Sequence, residues 1–411
     1  MKILYLHQYF STPSGKTGTR SYEFARRLVE RGHEVTILCS SYRHADTGLG
    51  DLPFSFGRRV GSVEGISVVE FNLPHSNYFG FLMRALVFAL YVLGATFCCL
   101  FRSYDLVFAT STPLTVAIPA IIAKLLRRKP FVFEVRDLWP EAPRAVGAIR
   151  SPVLLYFLTL LEEIAYRKSD FRIGLSPGIV DRIEEVVGKA NGVCMIPNSC
   201  DRELFESQSP KALPIEREEG DFLALFCGAH GLANGLYAVL DAAEELLSMG
   251  RRDVKLVFLG DGSQKPALAA DADRRGLSNC IFLDPLPKEI LAKSLASADL
   301  ALMIFDDISV FYYGTSPNKF FDYLSCGLPV LVNYPGWVAD LVGEHKCGVA
   351  VSPGDPGGFA RALVSFADLD GESRMRMREN ALALSENFAR DKLAEDFIAC
   401  LESVLPREGL P

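Results

Sequence analysis

The segment Ser316-Pro-Asn-Lys-Phe-Phe-Asp-Tyr-Leu-Ser-Cys-Gly-Leu-Pro-Val330 carries the sharpest chemical signal in the chain. It reads as a loop, a helix over Lys319–Cys326, a glycine stop and a strand. A lysine in a first helical turn sits at the positive end of the helix dipole, which disfavours it unless it meets an anion. A diphosphate is such an anion. Asp322, one turn later, could accept hydrogen bonds from ribose hydroxyls, and Ser316 and Asn318 add polar groups at the helix entry. The plain alternative is a solvated lysine and aspartate on a surface helix.

Two glycine loops suit the same ligand. Gly228-Ala-His-Gly-Leu-Ala-Asn-Gly235 follows an apolar strand and opens a helix, so Gly231 and Asn234 lie where backbone can approach an anion. Gly260-Asp-Gly262 follows the next strand and would allow close approach by a flat nucleobase. Either loop alone is weak; both in one half point to a nucleotide site.

The first half offers different groups. Ser14-Gly-Lys-Thr-Gly18 resembles a phosphate loop but has Phe10 where that motif needs glycine, so the match fails. Gly15 and Gly18 still bring backbone N–H groups to a helix start, suited to a phosphate or a sugar hydroxyl; a simple turn is the alternative. His7 ends the first strand. Phe131-Val-Phe-Glu-Val-Arg-Asp-Leu-Trp-Pro-Glu141 gathers Glu134, Arg136, Asp137 and Glu141 at a strand end beside Trp139. Such charges fit hydroxyl recognition and stabilisation of a charged transition state, or form a structural Arg136–Asp137 pair.

The elements that must position these residues alternate. Strands are expected at 2–7, 34–39, 67–72, 106–110, 131–135, 171–175 and 193–196, and a helix over 19–31. The pattern restarts with strands at 222–227, 255–260, 280–283, 300–304 and 330–333, and helices over 235–249, 265–276, 288–296 and 319–326. Near-continuous apolar strands separated by helices argue two α/β domains, each a parallel sheet covered on both faces. Ligands in such sheets sit at the strands' carboxyl ends, here facing a cleft between the domains. A polar Cys200–Gly220 stretch reads as a linker, and a last amphipathic helix spans about 390–404.

A length of 411 residues with 49% hydrophobic and 23% charged content fits two globular domains and excludes a disordered or collagen-like chain. The ten cysteines show no zinc-like spacing, so reduced thiols in a cytoplasmic protein are expected. The N-terminus reads as a first strand, with no signal peptide. Residues 1–200 carry a net +6 and residues 201–411 a net −13, suggesting that the first half faces an anionic surface. No basic run interleaved with aromatics favours nucleic acid. Between Arg84 and Arg102 lie 17 uncharged residues, the short limit for a membrane span. Because a β-α-β start precedes them, residues 78–101 are expected to form either a buried core helix or a helix dipping into a membrane interface.

Taken together, RGHEVTIL (31–38), IPNSCDRELF (196–205), FLGDG (258–262) and PNKFFDYLSCGLPVL (317–331) resemble glycosyltransferase family 4, over nearly the whole length. RDLWPE (136–141) and GAHGLANGL (228–236) resemble its bacterial O-antigen, capsule and exopolysaccharide branch. The resemblance implies a GT-B fold: two Rossmann-like doubly wound domains facing a central cleft. It implies an acceptor-binding, membrane-facing domain (1–200), a donor-binding domain (201–388) and a C-terminal helix (389–411) packing back on the first. It further implies transfer of a hexosyl or N-acetylhexosaminyl group, with retention, from a nucleotide diphosphate sugar, UDP-sugar favoured. The acceptor would be a polyprenyl-diphosphate-linked saccharide at the inner face of the cytoplasmic membrane. The resemblance also implies that neither a cofactor nor a metal is required.

By that resemblance Gly15, Gly18, Gly231, Asn234, Gly262, Ser316, Asn318, Lys319 and Asp322 bind the donor, and His7, Glu134 and Glu141 the acceptor. Lys319, Arg136 and Asp137 serve catalysis, the departing phosphate taking the acceptor's proton. The sequence departs from the family at Ala229 and Asn234, where Arg and Lys are common, at Gly314, where the first acid of an E-x7-E pair is common, and at Arg136, where a histidine is common. A non-catalytic, membrane-associated nucleotide-sugar binder and a nucleotide-sugar epimerase on the same fold are the alternatives.

Overall fold

A computed structural model describes residues 1–75, 79–189, 192–200, 205 and 213–405; much of the expected linker, 201–204 and 206–212, lies outside them. The chain forms two units. One takes in Met1–Asn198, Gly314–Ser316 and the chain from Asp391 on, the other Ser199–Tyr313 and Pro317–Arg390.

The first unit is built on eight strands: β1 (Lys2–Leu6), β2 (Glu34–Tyr42), β3 (Arg58–Val63), β4 (Ile66–His75), β5 (Leu106–Thr110), β6 (Phe131–Val135), β7 (Phe171–Gly174) and β8 (Val193–Met195). Their order is β3-β4-β2-β1-β5-β6-β7-β8, parallel except for β3 on β4. The sequence reading lacks β3, an edge strand of alternating half-buried and exposed residues without an apolar run. It closes on β4 through a two-residue turn in which Glu64 and Gly65 both have positive φ, the turn that suits strand twist.

Side chains alternate across this sheet, as strand geometry requires. One face packs on α1 (Arg20–Glu30) and the C-terminal helix, whose Phe397 stacks on Phe24 at 4.6 Å between centroids. Charges reinforce the seam: Arg31 pairs with Glu395 at 3.0 Å. The other face carries α2 (Phe81–Phe101), α3 (Ala117–Arg127) and α5 (Pro152–Lys168), while α4 (Glu141–Ala145) and α6 (Pro177–Val187) follow their strands.

Helix α2 meets the buried-core expectation for residues 78–101 along one side only. Val87, Tyr91, Ala95, Cys98 and Cys99 are buried against the sheet, and Tyr91 donates to the Leu38 carbonyl at 2.8 Å. Its opposite side is apolar and exposed. Among the described residues it is the one helix long and apolar enough to cross a membrane.

The second unit has a six-stranded, all-parallel sheet: β9 (Phe222–Cys227), β10 (Val254–Leu259), β11 (Cys280–Leu283), β12 (Leu300–Met303), β13 (Val330–Val332) and β14 (Gly348–Ala350), in the order β11-β10-β9-β12-β13-β14. Helix α7 (Tyr237–Ser248), α8 (Lys265–Arg274), α9 (Lys288–Leu295), α10 (Val310–Tyr313), α11 (Asn318–Ser325), α12 (Trp337–Glu344), α13 (Pro356–Ala367) and α14 (Gly371–Asn387) complete it, and α15 (Arg390–Ser403) is the C-terminal helix. Two cores result, one on each face of the sheet. Strand β14, Gly-Val-Ala, is absent from the sequence reading because three residues are too short a run to stand out as a strand.

Candidate functional site

Helix α11 is anchored by its own apolar residues. Phe320, Phe321, Tyr323 and Leu324 are buried, and the Tyr323 hydroxyl accepts the Cys227 N–H at 2.8 Å, tying the helix to the end of β9. This leaves Lys319, one residue into the helix, to reach across the glycine loop after β9. Its Nζ lies 4.0 Å from the Phe226 ring centroid and 5.7 Å from that of Phe305. Gly228 makes room for it: a Cβ there would stand 3.2 Å from Lys319 Cε.

No ion pair meets Lys319 among the described residues; its polar partner there is Asn234 Oδ1, at 2.8 Å. Protein surrounds the ammonium on most sides, and burial pushes its pKa down to about 7. A cation desolvated without a counter-charge, at a helix start, is electrostatically incomplete and favours an arriving anion. Asp322 is nearly buried one turn on, and Asn318 is exposed at the helix entry.

The two glycine loops of this unit form one wall. The His230 N–H donates to the Asp261 carbonyl, and the Gln264 N–H to the His230 carbonyl, both at 2.9 Å. A Cβ on Gly260 would lie 1.9 Å from the Gly228 carbonyl oxygen, and one on Gly262 2.4 Å from that of His230. These glycines therefore answer a close approach by the protein's own backbone, where the sequence reading looked to a nucleobase. The Ala229 and Gly231 N–H groups donate to no protein acceptor among the described residues. Sequence reasoning missed His230, fully buried between Phe226 and Phe258 with neither ring nitrogen partnered among the described residues. Burial foremost, with Lys265 and Lys319, holds it neutral at about 4. Its position inside a glycine loop was the only signal.

In the first unit the polar residues divide. His7 and Arg136 come together at the strand ends, His7 Nε2 lying 3.2 Å from the Arg136 guanidinium. Burial, then the Arg136 charge, lowers the His7 pKa, so the ring is neutral. His7 Nδ1 and both side-chain amide atoms of the neighbouring, fully buried Gln8 have no partner among the described residues. Asp137 is raised by burial against the opposing effect of Arg136, and no ion pair joins the two among the described residues. The alternative reading, a structural Arg136–Asp137 ion pair, is thus not met among the described residues.

Glu134 corrects an expectation of acceptor binding. It is fully buried, accepting from Arg20 Nε at 3.0 Å and NH2 at 2.7 Å on one oxygen and from Thr110 Oγ1 at 2.7 Å on the other. Arg20 also donates to the carbonyls of Pro197 at 2.5 Å and Ile196 at 2.9 Å. Both oxygens of Glu134 are occupied by the protein, and Arg20, bonded to it, ties α1 to β6 and to the chain after β8. Glu141, opening α4, is exposed.

The Gly15 loop also folds on itself. The Gly15 N–H donates to Thr12 and the Lys16 N–H to His44, at 3.1 and 2.8 Å, and a Cβ on Gly15 would meet Ser11 Oγ at 2.1 Å. Two of the N–H groups expected for a ligand are therefore engaged; Gly18 immediately precedes the cap of α1. Ser316 belongs to this unit, its Oγ and carbonyl receiving the Asn198 amide N–H at 2.9 Å and Nδ2 at 2.5 Å. No cluster of three or more metal-ligating side chains occurs among the described residues.

Comparison with known proteins gives this arrangement a family. Residues 17–199 match the glycosyl transferase 4-like domain, and residues 221–368 match glycosyl transferases group 1. Together the matches span most of the chain, and the chain belongs to this glycosyltransferase family, of GT-B type. It is 26% identical over 245 residues, 56% of each chain, to a D-inositol 3-phosphate glycosyltransferase of Corynebacterium jeikeium. It is 27% identical over 129 residues, 31% of this chain and 33% of the other, to the O-antigen chain mannosyltransferase C of Escherichia coli. The chain thus spans about half and a third of the lengths of these curated relatives. HepE of Anabaena, solved with UDP and glucose, shares the fold at a TM-score of 0.68 and 20% identity, over 98% of this chain and 100% of that one.

Proposed function

We propose that the protein transfers a sugar, with retention, from a nucleotide diphosphate sugar to a polyprenyl-diphosphate-linked saccharide at the inner face of the cytoplasmic membrane. A UDP-sugar is the favoured donor; the HepE structure with UDP and glucose supports that choice. The observation that carries the reading is Lys319, an ammonium whose pKa is lowered to about 7 at a helix start, with no ion-pair partner among the described residues. A diphosphate would supply its counter-charge, aided by the N–H groups of Ala229 and Gly231, with Asp322 for the ribose. The charge building on the leaving diphosphate strengthens these contacts in the transition state, which is what accelerates the step. The acceptor hydroxyl attacks the anomeric carbon as the bond to the diphosphate breaks, and the departing phosphate takes its proton. His7, Arg136 and Asp137 would meet the acceptor; neither a metal nor a cofactor enters.

The test is release of nucleoside diphosphate from a panel of UDP-, GDP- and dTDP-sugars, with and without lipid-linked acceptor. Acceptor-dependent release from one donor, lost in Lys319→Ala, supports the reading. Donor binding without release in any combination would leave a non-catalytic binder, and conversion of the donor sugar without acceptor an epimerase.

A further inference from the structure

We propose that α2, the last turn of α3 and α5 form one composite surface by which the protein lies flat on an anionic lipid bilayer. This rests on the membrane part of the proposed function and deepens it by naming the surface that meets the lipid.

Fourteen of the 27 exposed large apolar side chains among the described residues fall on these three helices, so the exposure is concentrated. Leu82, Leu86, Leu90, Leu93, Phe97 and Phe101 follow one another at spacings of three or four, a single stripe along α2. On α5, Val153, Tyr156, Phe157 and Leu160 repeat the spacing. Leu125 and Leu126 close α3, which packs against both neighbours. Contiguous exposed apolar surface of this kind marks an interaction site.

The edges name the occupant. At the C-terminal ends of α2 and α3, Arg127 donates to the carbonyls of Cys99 at 3.1 Å and Arg102 at 2.5 Å, gathering Arg102, Arg127, Arg128 and Lys129. Lys124 pairs with Asp170, which brings the exposed Arg167 and Lys168 at the end of α5 to the same edge. Arg84 stands near the other end of α2. Neither α2 nor α3 contains an acid, and of the two on α5, Glu162 is buried against Arg182 at 2.9 Å and Glu163 is half-buried. Aliphatic and aromatic side chains bordered by cations complement an anionic lipid interface. A second copy would set cation against cation.

The orientation follows from the buried side. At 21 residues α2 is about 30 Å long, enough to span. Its bond from Tyr91 to Leu38, and Gly94 lying so close to Phe71 that a Cβ would stand 3.0 Å away, fix it along the sheet. It lies in the interface.

Co-sedimentation with vesicles tests this without either sugar substrate, so it stands or falls apart from the transfer reaction. Binding is expected to phosphatidylethanolamine–phosphatidylglycerol vesicles, weakened by salt, and not to phosphatidylcholine alone. Leu93→Asp on α2 and Phe157→Asp on α5 should each lower binding about tenfold or more, while Met249→Asp, an exposed apolar position in the other unit, should not. Unchanged far-ultraviolet circular dichroism and melting temperature show that the variants fold. Vesicle binding untouched by Phe157→Asp, no binding to anionic vesicles, or a self-associated protein that Phe157→Asp dissociates would each overturn the proposal.

Discussion

Lys319 Nζ donates to Asn234 Oδ1 at 2.8 Å, and Asn234 Nδ2 donates to the Ala229 carbonyl at the same distance. Asn234 thus reads the lysine with one end and the glycine loop with the other. A neutral amide can orient an ammonium but cannot neutralise it, so the charge is held in place and left to a ligand. Lys319→Met should remove the thermal stabilisation given by the preferred nucleotide sugar, a loss of about 1.5–3 kcal/mol in binding, the range for hydrogen bonds to a charged group. Asn234→Ala should cost less, because the ammonium remains and only its aim is lost. Equal losses in both variants would mean that Asn234 itself holds the donor.

The lowered pKa of Lys319 gives binding and stability opposite pH dependences. An anion favours the charged lysine, so donor affinity is greatest below about 7 and weakens as the pH rises through that value, by up to about tenfold per unit. Without donor the sign reverses. The unfolded chain, with its lysine near 10.5, binds the proton that the folded protein has lost between about 7 and 10.5, so ligand-free stability rises with pH across that window. Titration calorimetry and denaturant unfolding, each run from pH 6 to pH 9 on wild type and Lys319→Met, check both signs. Both slopes should flatten in the variant.

The strands were legible because parallel sheets bury both faces: FVFEV and FLALFC need no alternation to be recognised. Edge strand β3, with Gly61 at its centre and exposed side chains between, carries no such run, and its turn is visible only as Glu64-Gly65. At the site, Lys319 was legible as a cation where a helix start disfavours one. The glycines of the two loops were legible as close approaches, but not what approaches them, since a Cβ removed for a ligand and one removed for a neighbouring carbonyl leave the same residue. Glu134 was misread for want of its partner. A carboxylate inside a buried parallel strand demands a buried cation, and Arg20 lies 114 residues earlier at the start of a helix.

That pair makes a stability prediction. Arg20 and Glu134 are both nearly inaccessible and bonded at 2.7 Å. Removing one partner strands the other charge in the interior, a cost of about 3–5 kcal/mol. Glu134→Ala should therefore lower the denaturant midpoint sharply while the protein that remains folded still binds donor. Undiminished stability with lost acceptor turnover would restore Glu134 to the acceptor site.

His230 carries the acid side. Held at about 4 by burial, it titrates near 6.5 once unfolded, so between those values the unfolded chain binds more protons. Stability contributed by the neutral ring is complete above about 6.5 and lost as the pH falls toward 4, by up to about 3 kcal/mol. His230→Leu keeps an apolar side chain between Phe226 and Phe258 and removes the titration. Its stability should fall less steeply than wild type over that window, by as much as one proton's slope, in urea unfolding at successive pH values. His7 and His75 are also lowered and keep their share, so the variant's curve retains a slope. Parallel curves would show that His230 is charged in the folded protein, and the loop around it would then need an anion of its own.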